Sequence, residues 1–313
     1  MMLSVHQVMK CAVQYHSKGT TLNKCKLPFD KRVVFITGCS SGIGFDAAFA
    51  LSARGHQVIA SCRKEDDVDK LIALGCDAVL MDVDSSDSIT TAFAHVLAKT
   101  EGRLDVLINN AGFGQAGALE DISRDVLRRQ FETNVFGLME LTNLAIPIMR
   151  QQGHGRIINM SSVLGLISMP FRGAYNASKY AVEGLCDTLR LELQPSGIHV
   201  ICIEPGPIES QFRENVISYS LKKIDLEHSH FQMQYQHMLG SFQKQKSNSM
   251  FTKKTDVVVR KLILAIESAK PNAKYPVTFP THLFILLKRL LSTTILDRFL
   301  VYLSRKELGS DAE

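Results

Sequence analysis

Nowhere in the 313 residues does a dense run of Lys and Arg interleave with aromatics, and the net charge is only +5. A nucleic-acid partner is therefore not expected. Cys-x-x-Cys is also missing. The seven cysteines (Cys11, Cys25, Cys39, Cys62, Cys76, Cys186, Cys202) are odd in number and scattered. That pattern fits free, buried thiols in a reducing compartment such as the cytoplasm better than a disulfide framework or a zinc site. The first 28 residues carry lysines but no acidic residue and no arginine. They lack an apolar core of signal-peptide length, so residues 1–30 read as a flexible or loosely attached extension. No apolar run reaches the ~20 residues of a membrane span; the run Leu283–Leu287 stops at Lys288 and Arg289.

What is present is an ordinary globular composition, 45% apolar and 21% charged, which supplies a substantial core. From Lys31 the chain alternates short apolar runs with longer amphipathic ones. Val33–Thr37, Val58–Cys62, Ala78–Met81, Val106–Asn109, Ile157–Met160 and Val200–Ile203 read as strands of a buried parallel sheet. Between them Ile43–Ala53, Asp66–Leu74, Ser88–Thr100, Arg124–Gln151 and Ala174–Gln194 read as helices, the fourth with a kink or break expected at Pro147. Such alternation predicts an α/β fold of the Rossmann type, a doubly wound parallel sheet in one domain over 31–280. Residues 211–254 show no clear strand and leave a strand end where a lid over the ligand crevice belongs. A helix over Thr255–Ala269, a strand over Tyr275–Thr278 and an amphipathic helix over Thr281–Leu303 complete the reading, with 281–313 as a C-terminal helix and tail.

Two segments carry chemistry. Thr37-Gly38-Cys39-Ser40-Ser41-Gly42-Ile43-Gly44 follows a strand and opens a helix, and its glycines let backbone N–H groups approach a pyrophosphate at the helix N-terminus. Tyr175 and Lys179 stand four residues apart, on one helical face, 13 residues after Ser162. A lysine beside a tyrosine is expected to lower the phenol's pKa, making it a proton donor or acceptor near neutrality.

With Asn109-Asn110-Ala111-Gly112 after the fourth strand, these motifs together resemble the short-chain dehydrogenase/reductase family. The likeness runs from about Lys31 to Ser210, and it is greatest for the branch of hydroxysteroid and retinol dehydrogenases. Glu204-Pro205-Gly206-Pro207-Ile208 and Tyr275-Pro276-Val277-Thr278 bring bacterial NADP-dependent aldehyde reductases nearer still. The resemblance implies that Tyr175 is the catalytic acid or base and that Ser162 binds the substrate oxygen beside it. Lys179 would bias the tyrosine and hold the nicotinamide ribose, and Asn134 would support a proton relay to that lysine. Gly38, Ser40, Ser41, Gly42, Ile43 and Gly44 would cradle the cofactor phosphates. Asp82 and Val83 would meet adenine; Asn110, Ala111 and Gly112 the adenosine ribose; Pro205, Ile208 and Ser210 the nicotinamide end.

Cofactor choice is read at the end of the second strand, where Arg63 and Lys64 stand in place of an acidic residue. They are either two solvated cations or a phosphate-reading pair, and the second reading gives NADP(H). His228, His230 and His237 lack a metal-ligand pattern, so no metal is expected. Phe231, Met233, Met238, Phe242 and Met250 either line an apolar substrate pocket or pack the lid onto the sheet. The C-terminal helix either lies on a membrane surface or packs within a globular assembly.

The resulting expectation is an NADP(H)-dependent oxidoreductase acting on an apolar aldehyde or ketone, foremost an aldehyde reductase, with a hydroxysteroid or retinol dehydrogenase as the alternative. In another class, the alternatives are a non-catalytic NADP(H)-binding sensor and a sugar-nucleotide epimerase. The glycine spacing and Asn109–Gly112 speak against the epimerase. A homo-oligomer through the helices containing Phe131–Gln151 and Tyr175–Gln194 is implied by the family resemblance.

Overall fold

Seven short strands lie side by side, all parallel, in the order β3-β2-β1-β4-β5-β6-β7. They are β1 (Val33–Ile36), β2 (Gln57–Cys62), β3 (Asp77–Leu80), β4 (Val106–Asn109), β5 (Gly155–Met160), β6 (Ile198–Glu204) and β7 (Lys274–Pro276). The computed structural model describes residues 31–209, 220–244 and 252–308. The expected extension 1–30 and part of the expected lid fall outside them.

β1 and β4 are buried at every position because helices cover both faces of the sheet. On one face α3 (Ser86–Lys99), α5 (Gly137–Gln152) and α6 (Gly173–Glu192) pack Phe93, Leu141 and Val182 against Phe35, Leu107 and Cys202. On the other, α1 (Gly42–Ala53), α2 (Glu65–Ala73) and α8 (Asp256–Glu267) pack Leu51, Leu71 and Leu262 against Val34, Ile108 and Ile203. The strand order runs outward in both directions from β1 and β4, so a crevice opens beyond their carboxyl ends.

Two expectations about helices are corrected. The long pattern over 124–151 does break, but not at Pro147: α4 (Arg124–Phe131) passes through a π-helical turn at Glu132–Phe136 into α5. Pro147 sits inside α5 on its exposed side, where the carbonyl of Asn143 left without its helical donor faces water. The pattern over 281–303 is two helices, α9 (Phe279–Leu290) and α10 (Thr293–Leu308). Leu291 turns extended, and the Ser292 carbonyl accepts from the Ile295 and Leu296 N–H groups to start the second helix. Both pack on the segment after Ser162, in a cluster of Val163, Ile167, Leu296 and Leu300 with Phe284, Leu287 and Leu291.

Candidate active site

The glycine turn joins β1 to α1. Gly38 and Gly42 adopt φ of 71° and 61°, which L side chains rarely adopt. A Cβ on Gly44 would lie 2.4 Å from the Gly38 carbonyl oxygen and 2.5 Å from Asn110 Nδ2, so only glycine lets the helix start here. Ser41 caps α1 without a side-chain hydrogen bond, and the first turn has no acidic residue. That N-terminus suits an anion, and the cradle fits a dinucleotide pyrophosphate. Ser40 is exposed, and Ser41 and Ile43 are half-buried around it.

Thr37 ties this turn to the strand beside it. Its hydroxyl accepts from the N–H groups of Asn110 (3.0 Å) and Ala111 (2.8 Å), while Asn110 Nδ2 donates to the carbonyls of Thr37 and Gly38. Thr37 stands in the quoted motif, but the sequence offers no sign of this clamp because its partners are more than 70 residues away. Arg63 and Lys64 are exposed after β2, and no carboxylate among the described residues pairs with either. Asp82 turns its carboxylate onto its own loop and accepts from the Asp84 N–H at 3.1 Å. The Val83 carbonyl lies against Gly137, where a Cβ would come within 2.0 Å of it.

Ser162 leaves β5 in extended conformation and its hydroxyl accepts from the Leu164 N–H. Tyr175 and Lys179 project from α6 on one face, as their spacing requires. The Ser162 hydroxyl hydrogen-bonds with the Tyr175 phenol. Lys179 Nζ lies 5.6 Å from the centre of the Tyr175 ring and donates to the Met160 carbonyl at 2.7 Å. Asn134 sits in the π turn, buried. Its Oδ1 accepts from the Phe113 N–H, and its Nδ2 donates to the Phe113 carbonyl and to the Ser178 hydroxyl, each at 3.0 Å. Ser178 in turn donates to the Tyr175 carbonyl. A Cβ on Gly112 would lie 3.2 Å from Asn134 Oδ1 and 3.8 Å from Lys179 Nζ, which puts these three residues around one point. Pro205 accepts from the Val163 N–H, Ile208 bridges to Lys253, and Ser210 lies outside the described residues.

One electrostatic expectation is reversed. Burial pushes the Tyr175 phenol up to about 12, with only the Ser162 hydrogen bond working against it. Burial lowers Lys179 to about 8, while Glu183, Cys186 and Cys202 hold it up. The lysine does not bring the phenol down because its ammonium is spent on Met160 and faces the ring instead of the oxygen.

The lid is partly described. Here α7 (Gln232–Lys244) packs Tyr235 and Met238 with Ile224 onto Ala116 and Ala118, beside Phe171 and Phe231. Tyr235 Oη accepts from the Ala118 N–H and donates to Asp121, both contacts sequence reading missed. Met238 and Phe231 thus pack the lid, Met233 is 72% exposed, and Phe242 and Met250 lie outside the described side chains. His228 pairs with Asp225 at 2.9 Å. No helix among the described residues is long and apolar enough to cross a membrane.

Comparison with known proteins bears on this geometry. The family model for short chain dehydrogenase matches residues 32–219. An uncharacterised oxidoreductase of Escherichia coli, YbbO, is 43% identical over 270 residues, covering 86% of this chain and 94% of its own. Human 17-beta-hydroxysteroid dehydrogenase type 1 is 34% identical over 273 residues, covering 83% of this chain and 80% of its own. A short-chain dehydrogenase from Streptomyces avermitilis superposes with a TM-score of 0.67 at 27% identity, over 90% of this chain and 100% of that one. The chain belongs to the short-chain dehydrogenase/reductase family, in the branch that holds hydroxysteroid and retinol dehydrogenases. It is an oxidoreductase of alcohol and carbonyl groups that binds a nicotinamide cofactor.

Proposed function

We propose that the protein is an NADP(H)-dependent reductase of an apolar aldehyde or ketone, aldehydes foremost. The convergence of Ser162, Tyr175, Lys179 and Asn134 beside the uncapped glycine turn carries this reading. In it the Ser162 hydroxyl donates to the substrate carbonyl oxygen. Tyr175, with its pKa pushed up to about 12, is a neutral phenol at physiological pH, and a neutral phenol can protonate the oxygen as negative charge grows there. The cofactor supplies the hydride. Lys179 holds its ribose, and Asn134, fixed by Phe113 and Ser178, keeps the lysine end of the site in register.

Gly38 to Gly44 would hold the pyrophosphate, and Asp82, Val83, Asn110, Ala111 and Gly112 the adenosine. Pro205, Ile208 and Ser210 would meet the nicotinamide. Arg63 and Lys64, exposed and with no carboxylate partner among the described residues, would read the 2′-phosphate. An apolar hydroxysteroid is the second reading, supported by the 34% identity to the human enzyme. The outer side of α9 exposes Phe279, Leu286 and Leu290 next to Arg289. It would rest on an anionic membrane surface, so sedimentation with anionic but not neutral vesicles is the expected result. Assembly of copies would use α5 and α6.

The deciding experiment follows NADPH oxidation with medium-chain, aromatic and terpenoid aldehydes, beside steroid ketones. Tyr175→Phe should abolish turnover and leave NADPH binding in place. Arg63→Ala should weaken NADPH by roughly tenfold or more while sparing NADH, since charge-assisted hydrogen bonds are worth about 1.5–3 kcal/mol. NADPH that binds but is never oxidised, across every carbonyl offered, would speak for a sensor.

A further inference from the structure

Just before α8, residues 252–255 touch two parts of the cofactor cleft. On one side they pair with the loop after β6. The Lys253 N–H donates to the Pro207 carbonyl at 3.1 Å, and the Glu209 N–H donates to the Lys253 carbonyl at 2.8 Å. Together these make a single parallel bridge between Ile208 and Lys253. On the other side Thr255 Oγ1 donates to Asp46 Oδ2, one turn into α1 from the glycine cradle. A short strap therefore joins the loop that would meet the nicotinamide to the helix that would hold the pyrophosphate.

The Thr255 hydroxyl is diverted to reach Asp46. Thr255 stands at the N-cap of α8, where a threonine side chain ordinarily accepts from the helix's own first N–H groups. Here it makes no such bond, adopts φ and ψ of −56° and −27°, and donates to Asp46 instead. The loop at the other end of the strap has two differently supported halves. In the first, the Glu204 carbonyl accepts from the Val277 N–H and the Pro205 carbonyl from the Val163 N–H. A Cβ on Gly206 would lie 2.1 Å from Thr278 Oγ1, so that half is packed tightly against the start of α9. The second half, Pro207 to Glu209, is exposed except for half-buried Ile208, and its backbone leans on Lys253. α1 needs no such help, since Ala47, Ala48 and Leu51 are fully buried in the core. A loss at Thr255 is therefore felt at the nicotinamide end.

We propose that Thr255 is a positioning residue for the cofactor. Anchored on Asp46, it fixes the strap and so holds Ile208 at a set distance from the glycine cradle. The role rests on the cofactor reading given above. A dinucleotide must reach both places at once, and a loop already fixed in its bound position need not be ordered on binding. That distance therefore sets how well the nicotinamide half is held. A fragment that stops short of the nicotinamide does not depend on it.

Calorimetry on the whole chain compares NADPH with 2′-phospho-ADP-ribose, the same molecule without the nicotinamide. In Thr255→Val, NADPH should bind roughly tenfold more weakly, the worth of one hydrogen bond to a carboxylate, while the fragment keeps its affinity. Thr255→Ser keeps the hydroxyl and should restore NADPH binding. Amide hydrogen exchange without cofactor should be several-fold faster at Glu209 and Lys253 in Thr255→Val. It should be unchanged there in Glu267→Gln, which cuts the tie at the far ends of the same two helices. Equal weakening of both ligands would mean damage to α1, and unchanged exchange in Thr255→Val would mean that Thr255 does not fix the strap. Either result overturns the proposal. A natural chain that binds neither ligand would refute the cofactor reading and the role in binding, and the exchange measurement would still decide whether Thr255 holds the strap.

Discussion

Asn134 is held by a backbone irregularity as much as by its side chain. A π turn inserts an extra residue between α4 and α5, and that offset turns the amide inward against Phe113 and Ser178. The Phe113 N–H donates to this amide, while the Phe113 carbonyl also accepts from Gln130 Nε2, so losing Asn134 takes an acceptor from one half-buried backbone donor. Asn134→Leu should cost about 1–3 kcal/mol in urea unfolding, as well as turnover, because an unpaired buried polar group costs about 1–3 kcal/mol. A stability unchanged within error would show that the amide is catalytic only. Ser178 was invisible as a site residue for a simple reason. Its contribution is a bridge between Asn134 and the Tyr175 carbonyl, and a bridge appears only once both ends are placed.

Among the elements, α9 and α10 matter most for the site. The sequence left open whether this region packs or lies on a membrane, and the structure shows its inner side packed on Val163 and Ile167, directly after Ser162. Lys288 reinforces this by donating to the Leu166 carbonyl and lying 4.9 Å over the Tyr180 ring. Leu300, 5% exposed, is the knob that holds α10 down. Leu300→Ala should destabilise by about 2–4 kcal/mol. It should also raise KM more than it lowers kcat, since it loosens the floor beside the substrate oxygen and leaves Tyr175 in place. An equal fall in kcat would mean that these helices order the catalytic groups themselves.

Across the whole molecule, a polar tie fastens the end of α1 to the end of α8. Arg54, after α1, gives a two-pronged pair to Glu267 at the end of α8, and His56 approaches the same carboxylate at 3.3 Å. Burial alone would raise Glu267, but the hydrogen bonds from His56 and Arg54 and the Arg54 charge bring it down to about 2. A carboxyl depressed on folding stabilises the fold above its unfolded value of 4.5 and loses that contribution as pH falls toward 2. Arg54 is 45% exposed, so solvent screening leaves about 1–2 kcal/mol. Unfolding measured from pH 6 to pH 3 should show a steeper loss for the natural chain than for Glu267→Gln. Parallel curves would remove this tie from the acid response.

The sequence by itself determined the sheet and the motif residues. β-branched runs buried on both faces cannot be mistaken for surface strands, and β4 matches its expected limits, Val106–Asn109. The glycine turn and the Tyr175–Lys179 spacing were legible because each acts within one local element, where a turn or a helical repeat fixes the geometry. Only the tertiary structure decided the rest. The π turn replaced the expected break at Pro147, since a helix tolerates a proline whose stranded carbonyl meets water but must deform to aim Asn134 inward. The Tyr175 pKa rose because burial is a property of the assembled site, and no spacing of Tyr and Lys records it. The burial of Glu204 at the end of β6 was decided in the same way, by β7 pairing beside it, a segment distant in the chain and adjacent only in the fold.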